Sequence, residues 1–207
     1  MGGELALGAR PQELVPGDPD DVDRLAARLR TFADGMGEAA RRMGSVTADE
    51  WRGPAGDAFR RLVGSHPEKY GQAASSFASA ATALSRYAEV LREARAQAQR
   101  AIERYREAHA QTQEWQRQRD RYDANLRTAA STGTAPASPP PAGADPGAGD
   151  RRRAQYLLDD ASSRVSQQAH LSSLELLAAA EAAPRQPGLL DSVMADIGGF
   201  FGAAPRR

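Results

Sequence analysis

The chain is predicted to be all-α: an elongated antiparallel helical hairpin or bundle with long coiled-coil-like helices and a disordered Pro-rich linker. Three observations predict this. Alanine, arginine, glutamine and glutamate dominate, all good helix formers, while aromatic residues are only 6% and strand-forming runs are nearly absent. Apolar residues recur at steps of three and four over long stretches, the period of a helical seam. Between the seams lies a run of Pro, Gly, Ser and Ala at 131–149 that cannot bury a core. The lean apolar content points to narrow helix seams rather than a thick globular core.

Residues 1–17, rich in Gly, Pro and short apolar pairs, read as an irregular lead-in. Asp18-Pro19-Asp20-Asp21 then supplies a cap, a proline at the first helical position and acids in the first turn. From there Val22, Leu25, Leu29, Phe32, Met36, Ala39, Met43 and Val46 form one seam, predicting a helix over about 19–47 despite Gly35, Gly37 and Gly44. Pro54 to about Gly64 reads as a short helix carrying Phe59, Leu62 and Val63. His66-Pro67 bends or restarts the chain there, since a residue before proline avoids the helical basin.

A long helix is expected from 68 to about 130. Tyr70, Phe77, Leu84, Leu91, Ala98, Tyr105, Thr112 and Leu126 share one seven-residue register that only Arg119 breaks. Ala74, Ala81, Ala88 and Ile102 make the second seam position, where small residues allow close helix approach. At 1.5 Å per residue such a helix would be on the order of 90 Å long. With the long helix, the hairpin spans 18–130. After the linker, a helix over 150–184 carries Leu157, Leu158, Val165, Leu171, Leu174 and Leu177 and is expected to pair with the distal half of the long helix. Residues 185–207 form a connector with a short amphipathic segment, apolar at Leu190, Val193, Ile197 and Phe200. That segment either folds back on the helices or docks a separate partner or membrane surface. Docking is the preferred of the two, but its apolar face is too short for stable membrane insertion.

Between the first two helices stands Trp51-Arg52-Gly53-Pro54. Gly53 has no Cβ and can take the left-handed conformation that commonly closes a helix, and Pro54 loses nothing at the first position of a new helix. Trp51, one of two tryptophans, supplies a large amphipathic ring where two helices reverse, able to plug the hairpin end or meet a partner. These three residues are the candidate turn and recognition motif.

The remaining sequence excludes more than it offers. With 27 basic and 27 acidic residues the chain is formally neutral, so no nucleic-acid partner is expected, and Arg151-Arg152-Arg153 reads as a solvated first turn. Cysteine is absent, which removes disulfides, thiolate metal sites and cysteine nucleophiles. The N-terminus lacks the basic start and apolar core of a Sec signal, and no stretch approaches the roughly 18 apolar residues of a membrane span. His66, His109 and His170 have no second ligand at metal spacing, so no metal is expected, and His109 reads as a packed or snorkelling histidine. No phosphate-binding glycine loop and no serine nucleophile elbow occurs. The chain is expected to be neither an enzyme nor a cofactor protein.

A helix, Trp51-Arg52-Gly53, and a second helix resemble the WxG hairpins exported by type VII secretion systems. The match gains from the seams on both sides and from Pro54-Ala55-Gly56-Asp57-Ala58-Phe59 behind the turn. The Gly17-Asp18-Pro19 entry, the long second helix and the terminal helix before a Pro-Gly connector are similar to the N-terminal secretion-signal domains of actinobacterial polymorphic toxins. The likeness covers about 10–200. It implies a second mark, a Tyr-x-x-x-Asp/Glu export motif, which Tyr156 to Asp160 fits; Tyr156 packing on the long helix is the other reading. Unlike in the small members, this motif follows a Pro-rich linker instead of the hairpin itself.

The resemblance implies a secretion-signal and delivery module made in the cytoplasm and exported by a non-Sec, type VII route. Its partners would be the type VII machinery and a small WxG helical protein or a second copy. The chain would be either an orphan carrier or the delivery half of a longer toxin. The alternative is an intracellular helical scaffold or coiled-coil partner-binding protein.

Overall fold

The computed structural model describes residues 5–46, 52–64, 66–135 and 143–184, without the side chains of residues 62 and 63. Trp51 and the whole of 185–207 lie outside the described residues. Among those described, the regular elements are all helices: α1 Pro11–Leu14, α2 Pro19–Gly44, α3 Pro54–Gly64, α4 His66–Thr132 and α5 Ala148–Ala182. The fold is all-α. The chain divides into two compact units, the described residues of Met1–Pro19 with Ala88–Gln168 and those of Asp20–Tyr87 with Ala169–Arg207.

In the second unit, α2 begins at Pro19 as its cap signal predicts, with Asp20 and Asp21 in the first turn and Arg41 and Arg42 in the last. Both ends therefore suit the helix dipole. Arg30 Nη2 donates to Ser85 Oγ at 2.6 Å, Phe32 and Phe77 set their rings 5.9 Å apart, and a Cβ at Gly37 would lie 3.9 Å from Ala74 Cβ. Partner numbers fall along α4 as they rise along α2, so the two helices are antiparallel. Val22, Leu25, Ala26, Leu29 and Ala33 are buried, but Met36 and Met43 are only half-buried and Phe32 and Val46 are exposed. The eight-position seam is thus closed over its first three positions, Val22, Leu25 and Leu29, and loosens from Phe32 onward. The cause is local: Gly35, Gly37 and Gly44 all fall in that looser part and offer no apolar side chain. α5 adds Leu176 and Ala179, both buried, and Ser172, whose Oγ donates to the Ala83 carbonyl at 3.1 Å.

In the first unit the lead-in is packed rather than loose. Leu5, Leu14 and Val15 are buried in one cluster with Leu91, Ala94, Ala98, Ala101 and Ile102 of α4 and Ala154, Leu158 and Ala161 of α5. Alanines on facing sides let the helices approach toward the close end of the usual spacing, about 8 Å, and so bring the few large side chains into contact. Gly17 turns the chain with φ +101°, a conformation that L side chains rarely adopt, and a Cβ there would sit 3.2 Å from Leu91 Cδ2. Arg95 secures this turn by donating to the Val15 and Gly17 carbonyls.

α5 runs antiparallel to α4: Arg151 meets Thr112, Asp160 meets Gln97 and Arg164 meets Glu93. The expected pairing with the distal half of α4 is therefore shifted. In this unit α5 lies along Ala88–Thr112, and most of α4 from Gln113 to Thr128 is exposed, Leu126 of the seven-residue register included. The 131–149 linker is also shorter than expected, because α4 runs to Thr132, α5 starts at Ala148 and Asp145–Gly147 are fixed by hydrogen bonds. Residues 136–142 lie outside the described residues. Finally, the apolar stripe of α5 follows Ala154, Leu158, Ala161, Ser172, Leu176 and Ala179, whereas Leu171, Leu174 and Leu177 face solvent.

Candidate functional site

At the turn before α3, Gly53 has φ +110° and its carbonyl accepts the Asp57 N–H at 3.1 Å. It therefore opens α3 as the residue before the first helical position, with Pro54 next, and it stands away from the end of α2 at Gly44. Among the described residues no atom crowds the space a Cβ would take at Gly53, and its positive φ is what asks for glycine there. Arg52, Gly53 and Pro54 are exposed. Trp51, the residue of most interest there, is outside the described residues.

The second candidate pair lies on α5 in the other unit. Leu158 and Ala161 are fully buried against the first unit's core, and Tyr156, two residues before Leu158, points the other way with 71% of its surface exposed. Asp160 stands one turn beyond Tyr156 on the same side of the helix. Its carboxylate accepts a hydrogen bond from Gln97 Nε2 at 3.0 Å, and the same amide donates to the Leu157 carbonyl at 3.0 Å. Gln97 is itself buried. A single α4 side chain thus holds this turn of α5, its carboxylate and its backbone, while leaving the tyrosine ring in solvent. The ring does not pack on the long helix.

A polar knot sets where α5 begins. Asp145 accepts from Arg151 Nη2 at 2.6 Å, from the Thr112 hydroxyl at 2.7 Å and from the Gly147 N–H at 2.9 Å, and Arg151 also donates to Thr112. The guanidinium of Arg151 holds the Asp145 carboxyl below the usual carboxylate range; partial burial opposes this, and Thr112 and Gly147 assist. A carboxyl whose pKa is lower folded than unfolded adds stability above its unfolded value, about 3.9, and loses it as pH falls through the folded value. Urea midpoints measured from pH 7 down to about pH 3 should therefore fall more steeply in the wild type than in Asp145→Asn.

Sequence reading passed over Gln97 and Asp145, placed Thr112 only in the seven-residue register, and read Arg151 as part of a solvated first turn. The last is corrected: Arg151 is largely covered and paired with Asp145 and Thr112, while Arg152 and Arg153 are exposed. His109, half-buried, stacks on Tyr105 with centroids 6.4 Å apart and lies 3.0 Å from Gln113 Nε2. Among the described residues no three His, Asp or Glu side chains gather as a metal site, and no helix is long and apolar enough to cross a membrane.

The chain matches one family model, described as "Putative T7SS secretion signal domain", across residues 2–187. The chain belongs to this family. No curated protein and no solved structure matches it. The family's stretch takes in both units, both candidate marks and the polar knot. Membership of the T7SS signal family gives the chain a role in type VII secretion.

Proposed function

We propose that the chain is a non-enzymatic secretion-signal and delivery module, related to the N-terminal domains of actinobacterial polymorphic toxins. It is made in the cytoplasm, recruited by the type VII machinery and exported with the effector it serves. In this reading binding, not bond-making, is its task. Two marks share recruitment: the Trp51-Arg52-Gly53 turn and the Tyr156/Asp160 pair.

The observation that supports this reading most is Tyr156. A large aromatic ring exposed on a well-packed helix, with a carboxylate one turn on, is a ready-made insert for an apolar groove with a cationic rim. Phe32, partly exposed midway along α2 beside Phe77, and Val46, exposed just beyond its end, suit a small WxG helical partner or a second copy. Export from a host with an intact type VII system tests the reading, with secreted and cellular fractions compared for wild type, Tyr156→Ala and Asp160→Ala. Truncating an aromatic anchor costs about 2 kcal/mol or more, so secretion of Tyr156→Ala should fall more than about tenfold. Helix content should be unchanged, since the ring is exposed. Undiminished export of Tyr156→Ala would remove the motif, and wild type retained in cells would favour an intracellular scaffold.

A further inference from the structure

Beside the Tyr156 turn, α4 and α5 are joined by two polar rungs, both inside the first unit. Glu93 and Gln97, one turn apart on α4, meet Arg164 and Asp160, one turn apart on α5. Arg164 Nη2 donates to Glu93 Oε2 at 2.8 Å, and Gln97 Nε2 donates to Asp160 Oδ2 at 3.0 Å. This is not the pairing that α5 would make by itself. An acid four residues before a base on one helix is the favoured order for an ion pair, and Glu38 with Arg42 forms one on α2. Asp160 and Arg164 have that spacing and order, yet Glu93 draws Arg164 across to α4. The donor left to Asp160 is a neutral amide, so among the described residues Asp160 stands in no ion pair. A guanidinium there would cancel the carboxylate charge; an amide orients the group and leaves the charge in place.

We propose that Glu93 is a specificity-determining residue and Gln97 a positioning residue for recruitment, a role that rests on Tyr156 and Asp160 being the recruitment pair. Together they present Asp160, beside the exposed Tyr156 ring, as an uncompensated carboxylate for a Lys or Arg of the recruiting partner. Gln97 fixes where the carboxylate stands. Glu93 keeps the chain's own cation off it. Without the Glu93 carboxylate, Arg164 is free to turn back along α5 onto Asp160, where it competes with the partner's cation and repels it.

Secretion of the full chain from a host with an intact type VII system tests this. Glu93→Gln should lower the secreted share by about two- to fivefold, which is what competition by one exposed ion pair amounts to. Adding Arg164→Gln to Glu93→Gln should restore wild-type secretion, because no cation of the chain is then left to turn onto Asp160. In an Asp160→Ala background Glu93→Gln should lower secretion no further, since residues that act through one another are not additive. Urea midpoints should barely move, because the Glu93–Arg164 pair is half exposed and such pairs add little stability. A loss that Arg164→Gln does not repair, an equal loss in the Asp160→Ala background, or undiminished secretion of Glu93→Gln would each overturn the proposal. Asp160→Ala secreted like the wild type would instead overturn recruitment through the pair, and the proposal with it.

Discussion

Leu91→Ala is expected to destabilise the chain by about 4 kcal/mol, toward the top of the roughly 2–5 kcal/mol found for fully buried leucines. Leu91 is completely buried, with Leu14 and Val15 of the lead-in, Ala94, Ala98 and Ile102 of α4 and Ala154 and Leu158 of α5 in the same cluster. The cost depends on whether neighbours can collapse into the vacated space. Here many are alanines with no rotamer to offer, and the Gly17 turn is held by Arg95, so collapse is poor. Against a typical total of about 5–15 kcal/mol this is a large share. At about 2–4 °C per kcal/mol for a chain of this size, Tm should fall by roughly 8–16 °C. Leu91→Met, which nearly conserves volume, should cost under about 1.5 kcal/mol. Leu126→Ala, in the same seven-residue register but exposed, should cost under about 1 kcal/mol. Urea unfolding followed by helical circular dichroism measures all three, and a Leu126 effect equal to that of Leu91 would contradict the packing described.

That contrast shows how much of the fold was legible. Period identifies which residues of a helix can share a face, so Phe77, Leu84, Leu91 and Ala98 were correctly grouped and are buried. Period does not say where a partner stops. Leu126 obeys the same register, yet Thr112 is where α5 begins to pack, a length set by Asp145, Arg151 and Gly147. On α5 the leucines misled: Leu171, Leu174 and Leu177 look like core, but the register through Leu158 passes through Ser172, which is fully buried. Its hydroxyl donates to the Ala83 carbonyl, and a serine buried on a backbone acceptor of a neighbouring helix gives no apolar signal in a sequence.

The candidate site was legible at the level of local backbone chemistry. Gly53 with a positive φ and Pro54 at the first position of α3 follow from the intrinsic preferences of those two residues, which need no tertiary information. The exposure of Tyr156 was not legible, because a tyrosine in a helix fits a packed face or a wet one equally well. What decides is the lateral placement of α5, fixed by Gln97 donating to both Leu157 and Asp160. Contacts between residues so far apart in the chain leave no mark in local pattern.

The polar knot yields the sharpest remaining test, because two glycines two residues apart should respond with opposite signs. At Gly147 a Cβ would be driven into the Ala108 carbonyl oxygen and Thr112 Oγ1, and the carbonyl belongs to the backbone of α4 and cannot rotate away. Gly147→Ala must therefore push α5 off α4 or break the Thr112–Asp145–Arg151 bonds, at a cost of about 1–3 kcal/mol. Gly149, in the first turn of α5, has open space where a Cβ would go and no positive φ. Gly149→Ala removes only unfolded-state freedom and should stabilise by about 0.4–1 kcal/mol. Urea midpoints with unchanged slopes would report both shifts. If the two variants moved together, the start of α5 would not be clamped on α4 at Ala108 as described, and the placement of Tyr156 and Asp160 that follows from that clamp would lose its support.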